Sequence, residues 1–82
     1  MIPPITIIIA DDMLKGKAVA KAIKVNLDSC AVITQPSYMH YISFYPNETI
    51  YAHSETSNKM IDAFNDRLKE LDQKAKLKYI KP

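Results

Sequence analysis

Few side chains here are equipped for chemistry: one thiol, Cys30, two imidazoles, His40 and His53, and two adjacent carboxylates, Asp11 and Asp12. A thiol becomes a nucleophile when a base lies within hydrogen-bond reach, and His40 or His53 fills that role if the strands carrying them align with Cys30. The same three side chains make a thin metal set, because no close-spaced ligand pair such as Cys-x-x-Cys occurs. A structural cysteine on an apolar strand, with two histidines on strand surfaces, accounts for them more simply. Asp11-Asp12 stands where a strand gives way to a helix, a position where many α/β enzymes hold metals, but two carboxylates there are also ordinary helix caps. With a single glycine, the chain has no glycine-rich phosphate loop. A catalytic triad, a Walker motif and a dinucleotide fingerprint are absent too. The chain therefore reads as non-enzymatic, with no catalytic residue, metal or cofactor expected. A small Cys/His enzyme is a minor alternative.

Binding chemistry has more carriers. Lys15, Lys17, Lys21 and Lys24 fall in a stretch, 13–27, that holds no acid, and Lys74, Lys76, Lys78 and Lys81 in another, 73–82. The segment between them holds Asp28, Glu48, Glu55, Asp62, Asp66, Glu70 and Asp72 against Lys59, Arg67 and Lys69. The net charge of +2 hides this clustering, which creates local positive fields suited to phosphates. A lysine-bearing helix face is also simply a solvated face. Tyr38, Tyr41, Tyr45 and Tyr51 crowd one region, where they either suit strands by propensity or form an exposed platform for bases or a protein partner.

The elements that position these residues follow from apolar periodicity. Pro3 and Pro4 precede a strand over 4–10, apolar on both faces and so internal. Asp11 and Asp12 start a helix to about Asn26. Its apolar stripe is Leu14, Ala18, Ala22 and Val25, widened by Val19 and Ile23, with Lys17, Lys21 and Lys24 on one exposed face. Gly16 weakens its first turn by roughly 1 kcal/mol relative to alanine. Strands are predicted over 30–34, 38–45 and 49–53, with turns at Gln35-Pro-Ser37 and Pro46-Asn47-Glu48. A final helix over about 57–78 carries a seam of Ile61, Phe64, Leu68, Leu71 and Ala75, and Glu70–Lys74 and Asp72–Lys76 pair four apart along it. The predicted fold is a single α+β domain, 1–82, in the order β-α-β-β-β-α. The later strands form an antiparallel meander, because their connections look too short for crossovers, and the helices lie on one face.

Eighty-two residues allow one domain, and an apolar content of 48% argues against disorder. One cysteine excludes an intrachain disulfide and fits a reducing compartment. The longest apolar run, Ile7-Ile8-Ile9-Ala10, is too short to span a bilayer. The N-terminus has no basic region ahead of an apolar stretch. A soluble, cytoplasmic protein with no membrane partner is expected.

From Asp12 to Tyr79 the order α-β-β-β-α resembles the double-stranded-RNA-binding domain. Residues Tyr38 to His53, followed by Ser57 to Phe64, look like that family's hairpin and final-helix entry. The family opens its last helix with several lysines, where this chain has Lys59 flanked by Asn58 and Asp62, and its loop between the first two strands is reduced here to Gln35-Pro36-Ser37-Tyr38-Met39-His40. The N-terminal strand is a further departure. In its low glycine content and short length the chain also looks like small early proteins of large bacteriophages, many of which inhibit host factors. The first functional expectation is thus RNA binding or regulation through Lys17, Lys21, Lys24, Lys59, Lys74, Lys76 and Lys78. The alternative is a phage-type inhibitor that binds a host protein or defence factor through Tyr41, Tyr45, Tyr51 or the Ile61, Phe64, Leu68, Leu71 seam. A homodimer through the distal part of a helix about 33 Å long, or through a sheet edge, accompanies both.

Overall fold

The structure, a computed structural model, describes residues 6–42, 48–72 and 74–82. Four strands, β1 (Thr6–Ile9), β2 (Cys30–Ile33), β3 (Thr49–His53) and β4 (Lys76–Ile80), form one sheet in the order β2-β1-β3-β4, and every pair is parallel. Two α-helices, α1 (Met13–Ala22) and α2 (Asn58–Leu71), and two 3₁₀ helices, Leu27–Ser29 and Pro36–Tyr41, connect them.

The sheet is sandwiched. On one face Ile8, Val32, Tyr51 and Ile80 pack with Val19, Ala20 and Ile23 of α1. On the other, Ile7, Ile9, Ile33, Ile50 and Ala52 pack with Met60 and Phe64 of α2 and with Met39 of the second 3₁₀ helix. Ile8, Ile9 and Ala10 are wholly inaccessible because the central strand is covered on both sides, the situation in which parallel sheets occur.

This overturns the antiparallel meander and the single helical face. Residues 38–41, expected to open a strand over 38–45, belong instead to the 3₁₀ helix Pro36–Tyr41, and residues 43–45 of that expected strand lie outside the described residues. Tyrosine-rich sequence favours strands, but Pro36 is pre-set for a helical first turn and Met39 finds burial in the α2-side core. With that strand gone, the chain from β2 to β3 is long enough to cross over β1 and run parallel to it on its other side. The expected helix to residue 78 stops at Leu71. There Asp72 adopts a left-handed φ of 49° and its N–H returns to the carbonyls of Leu68 and Lys69, an ordinary helix end. Residues 76–80 then form a strand that the helical seam had masked. The antiparallel arrangement implied by the double-stranded-RNA-binding resemblance is accordingly not found among the described residues.

Two local details fix α1. Asp12 caps it, accepting the Lys15 N–H at 2.8 Å. Its end comes before the expected Asn26: Lys24 takes a φ of 60°, the Lys24 N–H bonds Lys21 O, and the Val25 N–H bonds Ala20 O, the paired bonds of a Schellman motif. Gly16 is required by packing, since a methyl group at its Cα would overlap the Val32 side chain on β2.

Candidate functional site

The nucleophile candidates are kept apart. Cys30 starts β2, level with Thr6, whereas His53 ends β3, level with Ala10. That offset of four residues is about 13 Å at the rise of a parallel strand. His40 lies on the 3₁₀ helix packed against α2, across the sheet from the α1-side cluster that Cys30 joins. The Cys30 thiol reaches Asn26 O at 3.4 Å, and burial pushes its pKa up, the opposite of an activated thiolate. No group of three or more potential ligands suited to a metal occurs among the described residues.

In a doubly wound sheet, ligands favour the crevice at the strands' C-terminal ends where the winding reverses, here between β1 and β3. The chain's own groups tie that crevice together. Both Asp11 oxygens accept the Ser57 N–H at the start of α2, at 3.0 and 3.2 Å. Thr56 Oγ1 donates to His53 O and Ile9 O, and Lys15 pairs with Glu55 at 3.6 Å. His53 is buried, and its Nδ1 accepts the Glu55 N–H, which places the imidazole proton on Nε2. Asp11 and Asp12 are thus both helix-end acceptors, as their position suggested, but Asp11 serves the second helix.

A cleft of about 220 Å³ opens between the second 3₁₀ helix and α2, lined by Ser37, Met39, His40, Asp66, Arg67 and Glu70 among others. Arg67 donates to Ile42 O at 3.0 Å and to Glu70 at 3.2 Å, and His40 Nδ1 lies 3.9 Å from Glu70. The Arg67 bond to Ile42 O ties α2 to the residue that ends the 3₁₀ helix.

The lysines are left facing solvent. Lys17, Lys21 and Lys24 are exposed on or just after α1, and Lys74, Lys76 and Lys78 are exposed on or just before β4. Lys76 and Lys78 share a sheet face with Ile80, which packs in the α1-side cluster, so they project on the α1 side. Lys76 and Lys78 therefore lie on the same side of the sheet as the α1 lysines, at the opposite flank. Lys15 reaches Glu55 beyond β3 while Gly16 lies against β2, so Lys17 and Lys21, about 100° and 140° round from Gly16, look past β2. Lys59 sits on α2, across the sheet from the others.

Of the expected interface residues, Phe64 is buried, and Ile61, Leu68 and Leu71 pack against the α2-side core. The seam packs within this fold as far as Leu71, and α2 is about 21 Å long rather than the expected 33 Å. Tyr51 is half-buried under α1, Tyr41 is 84% exposed, and Tyr45 lies outside the described residues.

Sequence reasoning missed β4 as an edge. Its signal is the alternation Lys76-Leu77-Lys78-Tyr79-Ile80, period two inside an apparent helix.

Fold and surface together define a small doubly wound α/β domain with one lysine-rich side. No helix among the described residues is long and apolar enough to cross a membrane. Comparison with protein-family models, with curated proteins and with solved structures finds no match for this chain.

Proposed function

We propose that this chain is a non-enzymatic binding module that engages an anionic macromolecule through the α1–β4 side of its sheet. The observation that carries the reading is charge sidedness. Neither α1 nor β4 contains an acid, and their exposed lysines fall on the same side. On the opposite side, Lys59, Arg67 and Lys69 of α2 are offset by Asp62, Asp66 and Glu70. A one-sided field steers an anionic partner to one face even when the net charge is small.

Nucleic acid is the first partner to test. Fluorescent single- and double-stranded RNA are titrated across a salt series, with Lys21→Glu/Lys24→Glu and Lys76→Glu/Lys78→Glu as variants. Affinity should fall with salt as counterions are released, and each lost lysine contact should lower the salt slope by about 1. Absence of binding to any RNA, or binding indifferent to both double reversals, removes nucleic acid as the partner. An acidic protein partner, in the sense of a small inhibitor or regulator, is the second reading, and the outer edge of β4, which pairs with no strand among the described residues, favours it.

A further inference from the structure

We infer that the outer edge of β4 adds an extended acidic segment of a partner protein as a fifth strand, with partner carboxylates set beside Lys76 and Lys78. This rests on the α1–β4 side being the anion-facing side and names the partner class. Among the described residues, β3 is the one strand paired with β4. The Lys76 N–H donates to Glu48 O and Ile80 O accepts from Ser54 N, both at 2.8 Å, so the backbones of Lys76 and Ile80 face β3. Backbone direction alternates along a strand, so Lys78 faces inward with them while Leu77 and Tyr79 turn their N–H and C=O groups outward. That leaves two donors and two acceptors spaced for a strand.

Side chains specify what that strand is. On the α1 side the edge shows Lys76 and Lys78. On the α2 side it shows Leu77, half-buried, and Tyr79, 53% exposed. A strand docked there places alternate residues beside the lysines and the intervening ones beside Leu77 and Tyr79. Acidic and apolar residues in strict alternation satisfy both rows, with backbone bonds supplying affinity and alternate side chains specificity. A second copy of β4 brings lysine rows side by side and is disfavoured by like charge. Lysines on an edge also guard against indiscriminate pairing, and guarding alone predicts no acidic partner. Nucleic acid uses the lysines but has no need of the outward amides.

The probe is a blocked, fluorescent heptapeptide alternating glutamate and valine. Its controls are the same composition with the glutamates in one block, a lysine–valine alternating peptide, and single-stranded RNA. Wild-type protein binds the alternating peptide about tenfold or more tightly than the blocked one. Lys76→Glu/Lys78→Glu reverses the preference toward the lysine–valine peptide. Tyr79→Pro removes an outward N–H while leaving the bonds to β3 in place, and it abolishes peptide binding without reducing RNA binding. In wild-type protein, hydrogen exchange at Leu77 and Tyr79 amides slows on adding peptide, a readout independent of how any variant folds. Equal affinity for alternating and blocked peptides, or unchanged exchange at Leu77 and Tyr79 under saturating peptide, overturns strand addition. If RNA binding meanwhile depends on Lys76 and Lys78, the anion-binding side stands and the strand does not. If no anion responds to those lysines, both fall.

Discussion

Asp11 is solvent-exposed, yet its carboxylate is engaged within the chain. Both its oxygens meet the Ser57 amide, so a residue from the β1 end serves as acceptor at the start of α2. Asp11→Ala should cost about 1 kcal/mol, the usual scale of a lost helix cap, and lower the midpoint of urea unfolding without weakening anion binding. A loss of anion binding with unchanged stability would give Asp11 a ligand role instead. Cys30 makes a second residue-scale test. Its raised pKa means that the fold favours the neutral thiol. That contribution to stability is complete below the ordinary thiol pKa of 9.0 and is lost as pH rises above it. The alkylation rate of the native protein should therefore still be climbing where a model thiol has reached its plateau. A plateau near neutral pH would mark an activated thiolate and reopen the Cys/His reading.

At the scale of elements, legibility in the sequence depended on whether local pattern and tertiary environment agreed. Ile7-Ile8-Ile9-Ala10 announces a strand covered on both faces, and Asp12 a helix start; both are found. Thr49–His53 and the existence of α2 follow the same way. Residues 36–41 conflict: their tyrosines favour extended chain, but Pro36 and the burial of Met39 against α2 hold a 3₁₀ turn. Residues 72–80 conflict too. Ala75 and the charge pairs extend the helical pattern past Leu71, while the left-handed Asp72 and the unpaired side of β3 make a parallel strand the better burial. Sheet sense is hidden with these two segments, because connection length reads correctly only when the strands at both ends are known. The candidate lysines could be named from sequence, but their common side depends on β4 being a strand. The α2 seam was visible, and packing on the sheet, the commoner use of such a stripe, is where Ile61, Phe64, Leu68 and Leu71 are found. Phe64→Ala should therefore destabilise the monomer by about 3–5 kcal/mol, as for a buried aromatic, measured by chemical unfolding. A folded monomer of unchanged stability, defective only in self-association, would return the seam to an interface.

Across the whole molecule, a thin sheet separates two differently charged layers. The α2 layer offsets its charges internally, and the Arg67–Glu70 pair lines its cleft. The α1–β4 side holds lysines at both flanks, only Lys15 of which has an acidic partner among the described residues. Exposed Met13 and Leu14, at 48% and 79%, add an apolar spot at the N-terminus of α1 on the same side. The division of labour is testable as a map. Isotope-labelled protein is titrated with single-stranded RNA and, separately, with the glutamate–valine peptide, following backbone amide shifts at low salt. The expected map has RNA shifting amides of α1 and of residues 74–81 and the peptide shifting those of residues 74–81 alone, with α2 and the Pro36–Tyr41 helix silent in both titrations and both responses fading as salt is raised. Shifts centred on the His40, Arg67, Glu70 cleft, or spread evenly over both faces, would contradict it.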